Sequence, residues 1–379
     1  MRVYKKAILP VGFRANGVAC GIKKSGKLDL ALFISDLPAK AACKFTTNKL
    51  PAAPVIINKK YLRKNKEFRA IVVNSGNANA FCAEAGLSDA EKMSVSAAEI
   101  LAVKKENILV ASTGIIAKKL PIEKIEHALP DLVKGLSKQA IDKAKRAILT
   151  TDKFTKELTV KVNIAGRIVT VCGVAKGAGM IAPNMATMLC FIFTDANITQ
   201  RVLDLALTSA VDNSFNLITV DGCMSTSDSV MLLANGQAKN SLIDTDKYFN
   251  DFCKAINMVC FELAKMVVKD GEGATKFIRI EVNEAKNYSE ARKVGLSIAN
   301  SNLFKTAMYA SSLNVKGRII ASVGSAGVDL KEKDLKIKFS DLKKKDIEVK
   351  VSLAKGKSEV VIYTSDLSHE YVKINAEYN

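Results

Sequence analysis

Residues 176–194 read KGAGMIAPNMATMLCFIFT. Gly177 and Gly179 open the stretch with the spacing of a flexible turn, and Pro183 and Asn184 continue it with residues that favour turns. From Met185 the run MATMLCFIF is apolar apart from Thr187, the pattern of a strand buried on both faces. A tight loop therefore delivers Thr187 to the mouth of a buried strand, where a hydroxyl has a fixed position and dry surroundings. Those are the conditions of a nucleophile. The same pattern also serves as an ordinary turn before a strand. It is not a phosphate loop, because no Gly-Lys-Ser/Thr follows the glycines.

Upstream, LTVKVN (158–163) and IVTVCG (168–173) alternate as strands joined at Ala165-Gly166, a hairpin leading into the loop. Residues 108–111, ILVA, form another apolar run that ends at Ser112, Thr113 and Gly114. A Thr hydroxyl and a Gly amide at a strand end can form an oxyanion hole. Residues 70–73, AIVV, are a buried-strand candidate followed by the turn SGNANA (75–80). Asn77 and Asn79 are structural turn residues or substrate donors. Ser88-Asp-Ala-Glu91 is a capping box that predicts a helix to about Val103, and Leu120-Pro121 starts another, over 122–135. Further strands are expected at LDLALFIS (28–35) and CKFTT (43–47).

Downstream, an amphipathic helix is expected over 199–214 and a long one over 246–268, ending at Asp270-Gly271-Glu272-Gly273. FIRIEV (277–282), RIIASVG (318–324) and EVVIYTSD (359–366) read as strands, with helices over 290–301 and 304–310. The lysine-rich stretch 331–357 reads as an exposed hairpin or sheet edge, since edge lysines discourage aggregation.

The 379 residues suffice for one large or two medium domains. No apolar run approaches the roughly 18 residues of a membrane helix, and the start is too short in apolar residues for a signal peptide. The expected location is the cytoplasm. The net charge of +19 raises the question of nucleic acid, but the lysines are scattered and no aromatic residues alternate with them. Solvated faces account for the excess, and a positive field can draw in anionic substrates such as glutamate. None of the eight cysteines lies two to four residues from another, so no zinc spacing is present and no metal is expected. Two histidines make a Ser-His-Asp mechanism a poor fit and favour a nucleophile that carries its own base.

GAGMIAPNMATML resembles the self-cleavage site of the ornithine acetyltransferase (ArgJ-type glutamate N-acetyltransferase) family. GF-x-A-x-G-V, FTTN and the terminal YVKINAEYN are similar too, so the resemblance runs from about Gly12 to Asn379. It implies an α/β class, a layered α/β sandwich like the amino-terminal-nucleophile folds, cut at Ala186–Thr187 into chains 1–186 and 187–379. It implies that Thr187 is the nucleophile and that Thr113 and Gly114 form the oxyanion hole. Thr150, with Thr151 as the neighbouring alternative, would contact substrate. Glu272, otherwise a surface carboxylate, would bind the substrate amine, and Asn375 would assist. Lys176, otherwise a loop lysine, would pair with the substrate carboxylate. The implied activity is acetyl transfer from N-acetylornithine to glutamate, releasing ornithine, with acetyl-CoA a further possible donor and no bound cofactor. Two copies of each chain would form a heterotetramer; an amino-terminal-nucleophile hydrolase is the rival reading. The sequence departs from the family at Ala117 (usually Gly), Thr155 (usually Pro) and Cys223-Met224 (usually Asp-Thr). It also ends at Asn379, where a Thr or Ser contact is usual, so that contact is expected to be missing or replaced by the terminal carboxylate.

Overall fold

The structure is a computed structural model that describes residues 1–182, 188–244 and 248–377. Ala186 and Thr187, the expected cleavage pair, lie outside the described residues, as do Tyr378 and Asn379.

The first part of the chain runs β1 (Arg2–Tyr4), β2 (Phe13–Val18), β3 (Leu30–Phe45), α1 (Ala53–Lys64), β4 (Phe68–Asn77), α2 (Ala83–Leu101), β5 (Ile108–Ile115), α3 (Ile122–Lys134), α4 (Ile141–Ala147), β6 (Lys156–Ile164) and β7 (Arg167–Lys176). Then come β8 (Leu189–Thr194), α5 (Gln200–Asp212), β9 (Ser229–Ala234), α6 (Phe249–Lys269), β10 (Phe277–Ala285), α7 (Tyr288–Ala299), α8 (Asn302–Ala310), α9 (Val315–Gly324), β11 (Lys336–Phe339), β12 (Asp346–Ser352), β13 (Ser358–Ser365) and α10 (His369–Glu377).

Nine strands pair in the order β1-β6-β7-β8-β9-β3-β4-β5, with β2 beside β3. The run that decides the fold behaves as its composition demands: all six residues of β8 are buried. Leu189, Phe191 and Phe193 face one core, and Cys190 and Ile192 face the other, beneath α5 and α6. Strand β3 carries both halves of the sheet. Its first part pairs with β4 and its last part with β9, with a register shift between Ile34 and Ala39. The bend lays one half over the other, so that Phe33 stacks on Phe193 at 5.1 Å and Phe13 meets it at 5.3 Å. Helices α1 to α3 cover the outer face of the first half. The result is a layered α/β sandwich. A smaller sheet, β11-β12-β10-β13, packs under α7, α8 and α9, and Tyr363 joins it to α6 through Phe261, 5.7 Å away. No described helix is long and apolar enough to cross a membrane.

Four expectations need correction. The two strands expected over 28–47 are the single bent β3, because the exposed Asp36-Leu37-Pro38 forms a bulge and not a break. Helix α2 starts at Ala83, not at Ser88: the Asn79 side-chain amide donates to the Gly86 carbonyl (2.9 Å) and docks the first turn, so Ser88 lies inside the helix. Strand β5 continues past Thr113 to Ile115, paired with Asn77 of β4. RIIASVG is not a strand but part of α9: Val315, Ile319 and Val323, four apart, form one buried stripe. Short apolar runs carry both periods until something covers them. The hairpin at Ala165-Gly166 and the lysine-rich hairpin β11–β12, with β11 at the sheet edge, are as expected. Ala117 has φ +59°, in the left-handed region that a residue without Cβ adopts more readily.

Candidate active site

Strand β7 ends at Lys176, whose partner across the sheet is Leu189 at the start of β8. The chain thus leaves one central strand and enters its neighbour at the same end of the sheet. At that end lies a cavity of about 90 Å³. Thr113, Gly114, Thr150, Thr151, Lys176, Glu272 and Asn375 all line it. Every described residue that the family resemblance assigns to the reaction is therefore in one place, brought from β5, the segment after α4, β7, the loop after α6, and α10.

Backbone geometry explains the residue types. Gly114 has φ +135°, and a Cβ there would lie 2.4 Å from the Gly76 carbonyl carbon. Only glycine lets β5 pass this close to β4 while its amide remains at the cavity wall. Thr113 is buried beside it. A Cβ on Gly179 would lie 2.1 Å from Glu272 Oε2, so that glycine makes room for the carboxylate. Glu272 is not a surface residue: it is 8% exposed, its amide donates to the Ala178 carbonyl, and its Oε2 accepts from Asn375 Nδ2 at 2.8 Å.

Lys176 is not a loop lysine. It is buried, donates to Thr150 Oγ1 at 2.8 Å and lies 3.8 Å from Asp152 Oδ2. Burial lowers its pKa, against the pull of Asp152. The contact favours Thr150 over Thr151 as the residue coupled to Lys176. Behind it lies a charge network that sequence reasoning missed. Lys156, fully buried, bridges Asp152 (2.7 Å) and Asp270 (2.5 Å). Asp152 Oδ1 also accepts from the Gly177 amide at 2.7 Å, holding the glycine loop. Burial opposes the charge on Asp152, but Lys176 and Lys156 outweigh it and hold the carboxyl well below the usual range. For Asp270 burial wins, and its pKa is raised. Asp152 and Lys156 lie in TTDKFTK (150–156) and Asp270 in DGEG (270–273), and nothing local announces a pairing across 114 positions.

The segment VDGCMSTSDS also gains a role. Ser225, Thr226 and Ser227 line the cavity. Asp221 accepts from the amides of Met180 (2.6 Å) and Ile181 (2.9 Å), and Asp228 accepts from the Met188 amide (2.9 Å). The two carboxylates anchor the chain on either side of residues 183–187. Thr46 of FTTN donates to the Ser225 carbonyl at 2.8 Å, and Asn48 to that of Met224 at 3.2 Å. That motif clamps the cavity wall. Asn77 donates to the Lys118 and Lys119 carbonyls and Asn79 to Gly86, so both are structural. Cys172 and Cys260 are buried thiols pushed up to about 12, small apolar residues in effect.

A layered α/β sandwich with a small, charged and partly dry cavity at the ends of its central strands is the frame of an enzyme acting on small polar molecules. The profile of the ArgJ family matches residues 14–343 and 338–379. The arginine biosynthesis bifunctional protein ArgJ of Caldanaerobacter subterraneus is 43% identical, covering 98% of each chain. That of Geobacter sulfurreducens is 42% identical over 97% of this chain and 98% of its own. The solved ornithine acetyltransferase of Mycobacterium tuberculosis, complexed with ornithine, is 36% identical and covers 48% of this chain and 97% of its own, with a TM-score of 0.45. The chain belongs to the ArgJ family and is a glutamate N-acetyltransferase of arginine biosynthesis.

Proposed function

We propose that the protein moves the acetyl group of N-acetylornithine to glutamate through an acetyl-Thr187 enzyme, after cutting itself at Ala186–Thr187. The observation that carries this reading is the convergence of Thr113, Gly114, Thr150, Lys176, Glu272 and Asn375 on one cavity. In the self-cleavage the Thr187 hydroxyl attacks the Ala186 carbonyl, and water opens the resulting ester. The new α-amine, with a reference pKa of about 7.7–8, then serves as the base for its own hydroxyl. Acyl transfer to Thr187 passes through a tetrahedral oxyanion, for which the Thr113 hydroxyl and the Gly114 amide are the donors. Ornithine leaves, and the glutamate amine takes the acetyl group in the second half of a ping-pong exchange. Glu272, steadied by Asn375, receives the substrate ammonium. Lys176, kept in place by Thr150 and Asp152, receives the carboxylate. Acetyl-CoA is a second donor in this reading. The chains 1–186 and 187–379 stay together and pair into a heterotetramer in the cytoplasm.

Denaturing mass spectrometry tests the first step: two fragments are expected, one starting at Thr187. Thr187→Ala should abolish cleavage and transfer together, and acetyl transfer by that variant would remove Thr187 as nucleophile. Hydrolysis of N-acetylornithine at the same rate with and without glutamate would replace the transferase reading with a hydrolase.

A further inference from the structure

The mature nucleophile carries its own base, but the precursor does not. Until the Ala186–Thr187 bond is cut, the Thr187 nitrogen belongs to a peptide amide, which takes up no proton near neutral pH. The proton of the attacking hydroxyl therefore needs another acceptor. Neither histidine supplies it: His127 is exposed on α3, where Nδ1 meets the Glu123 carbonyl, and His369 packs edge-on against Tyr309. Three carboxylates at this end of the sheet have both oxygens engaged. Asp152 holds Lys156 and the amides of Gly177 and Thr150. Asp221 holds the amides of Met180, Ile181 and Cys223 and the Tyr371 hydroxyl. Asp270 holds Lys156 and the Lys153 amide. Glu272 accepts from Asn375 and is assigned to the substrate ammonium.

Asp228 differs. It stands at the entry to β9, immediately before Ser229, and is fully buried. In the parallel pairing of β8 with β9, Leu189 lies opposite Ser229, so Asp228 comes level with Met188, the residue that follows Thr187. Its Oδ1 accepts from the Met188 amide at 2.9 Å, and the nitrogen of that amide is bonded to the Thr187 carbonyl carbon. Its Oδ2 is buried and accepts no hydrogen bond from any described residue. Leaving a buried acceptor without a donor is costly, and a catalytic role is one use that offsets the cost. Burial pushes the Asp228 carboxyl well above the usual carboxylate range, while the Met188 amide, Lys176 and the nearby Ser225 hydroxyl pull the other way. A base whose proton affinity is raised toward the working pH is an effective one. Among the described residues the charged group that acts on it is Lys176, from β7. Met188 of β8, Thr46, whose amide donates to the Asp228 carbonyl, and Ser225 carry no group that titrates near neutral pH. Lys176 and Ser225 also line the catalytic cavity.

We propose that Asp228 is the base of the self-cleavage. Its Oδ2 takes the Thr187 hydroxyl proton as the bond from the Thr187 oxygen to the Ala186 carbonyl carbon forms. It hands that proton to the Thr187 nitrogen as the C–N bond breaks, which leaves an ester and a free amine. In the second step it takes a proton from the attacking water and gives it to the Thr187 oxygen as the ester C–O bond breaks. The acid proton of the new Ala186 carboxyl passes to the amine, and Asp228 ends as the carboxylate it was at the start. The α-amine released by the cut then becomes the base of acetyl transfer. This assignment rests on the reading above that the chain cuts itself at Ala186–Thr187.

The test follows the cut in full-length precursor made by cell-free synthesis and sampled over time by denaturing mass spectrometry. In the wild type the cleavage rate should rise with pH as Asp228 ionises and level off once it is fully ionised. Asp228→Asn keeps the size of the side chain and an oxygen for the Met188 amide, but it has no base. It should cut at least about 10²-fold more slowly, and its residual rate should lack the rise with pH. Asp228→Glu restores a carboxylate one methylene further out and should recover about tenfold of the loss. In Asp228→Ala, added formate should speed the cut by supplying a free carboxylate. Thermal melts of each variant accompany the rates. Cleavage by Asp228→Asn within about threefold of wild type overturns the assignment. So does a slow variant that keeps the rise with pH, which Lys176 as the base would give, or one rescued by neither Glu nor formate, which a purely structural anchor would give. Should the substitutions unfold the chain, the wild type decides: a cleavage rate that is flat between about pH 5 and 9 overturns the assignment, and a rise supports it. A wild-type chain that stays whole sinks the self-cleavage reading itself, whereas a wild type that cuts no faster than Asp228→Asn sinks Asp228 alone.

Discussion

Replacing Lys156 by Met removes one charge from a place that water does not reach. The ammonium bridges Asp152 and Asp270, and all three side chains have no exposed surface. Methionine has similar length and fills the space, so the loss is electrostatic rather than steric. Asp152 keeps a cation, Lys176, at 3.8 Å. Among the described residues, Asp270 keeps the Lys153 amide alone, at 3.1–3.2 Å. Breaking a buried ion pair in this way costs about 3–5 kcal/mol, because a charge stays behind uncompensated. Spread over the unfolding entropy of a chain of this size, that is a fall in melting temperature of about 4–6 °C. The second substitution Asp270→Asn removes the stranded charge. The double variant Lys156→Met/Asp270→Asn should therefore recover about half or more of the loss, since contacting sites do not add. The remaining attraction between Lys176 and Asp152 should also draw the lysine away from Thr150, so KM for the amino-acid substrate rises. Thermal melts of wild type, both single variants and the double variant form the assay, with substrate kinetics alongside. A Lys156→Met protein within about 1 kcal/mol of wild type, the scale of an exposed pair, would refute the buried network. Additive losses in the double variant would refute the stranded charge.

Thr113→Ala deletes a hydroxyl at the cavity wall with little change of volume, so kcat should fall by about 10²-fold with a smaller rise in KM; undiminished kcat in steady-state assays would take Thr113 out of the site. Gly179→Ala places a Cβ 2.1 Å from the Glu272 carboxylate and must displace it from Asn375. A misplacement of that order should lower kcat/KM by about 10²-fold, and normal kinetics would show that Glu272 does not bind substrate. Lys305, buried against Thr364 and Ser365, has its pKa brought down to about 7 by burial, with Asp366 and Asp221 pulling the other way. The unfolded chain then binds more protons between about pH 7 and 10, so stability rises with pH there by up to about 1.4 kcal/mol per unit, and the slope vanishes below about 7. Lys305→Met should lack this rise in denaturant titrations, and parallel pH curves for the two proteins would contradict the buried charge.

Much of the local structure was legible in the residues alone. The apolar run of β8 has no polar face, and its shortness and the turn residues before it pointed to a strand covered on both sides. The Ala165-Gly166 pair closes the hairpin before it, and the order of Thr113-Gly114, Thr150, Lys176, Glu272 and Asn375 carried the family resemblance. What the residues could not express is anything that depends on a distant partner. The helical state of α9 was set by what covers one stripe of it. Lys156 looked like any strand lysine until Asp270, 114 positions away, closed on it. Residues 22–28, Lys118 and Arg146 are far apart along the chain and carry no common motif, yet they wall one cavity. Local preference depends on neighbours a few residues away, and sequence records it directly. Burial, charge pairing and cavity shape depend on which surfaces meet, and that is decided only when the bend in β3 and the layers around β8 bring them together.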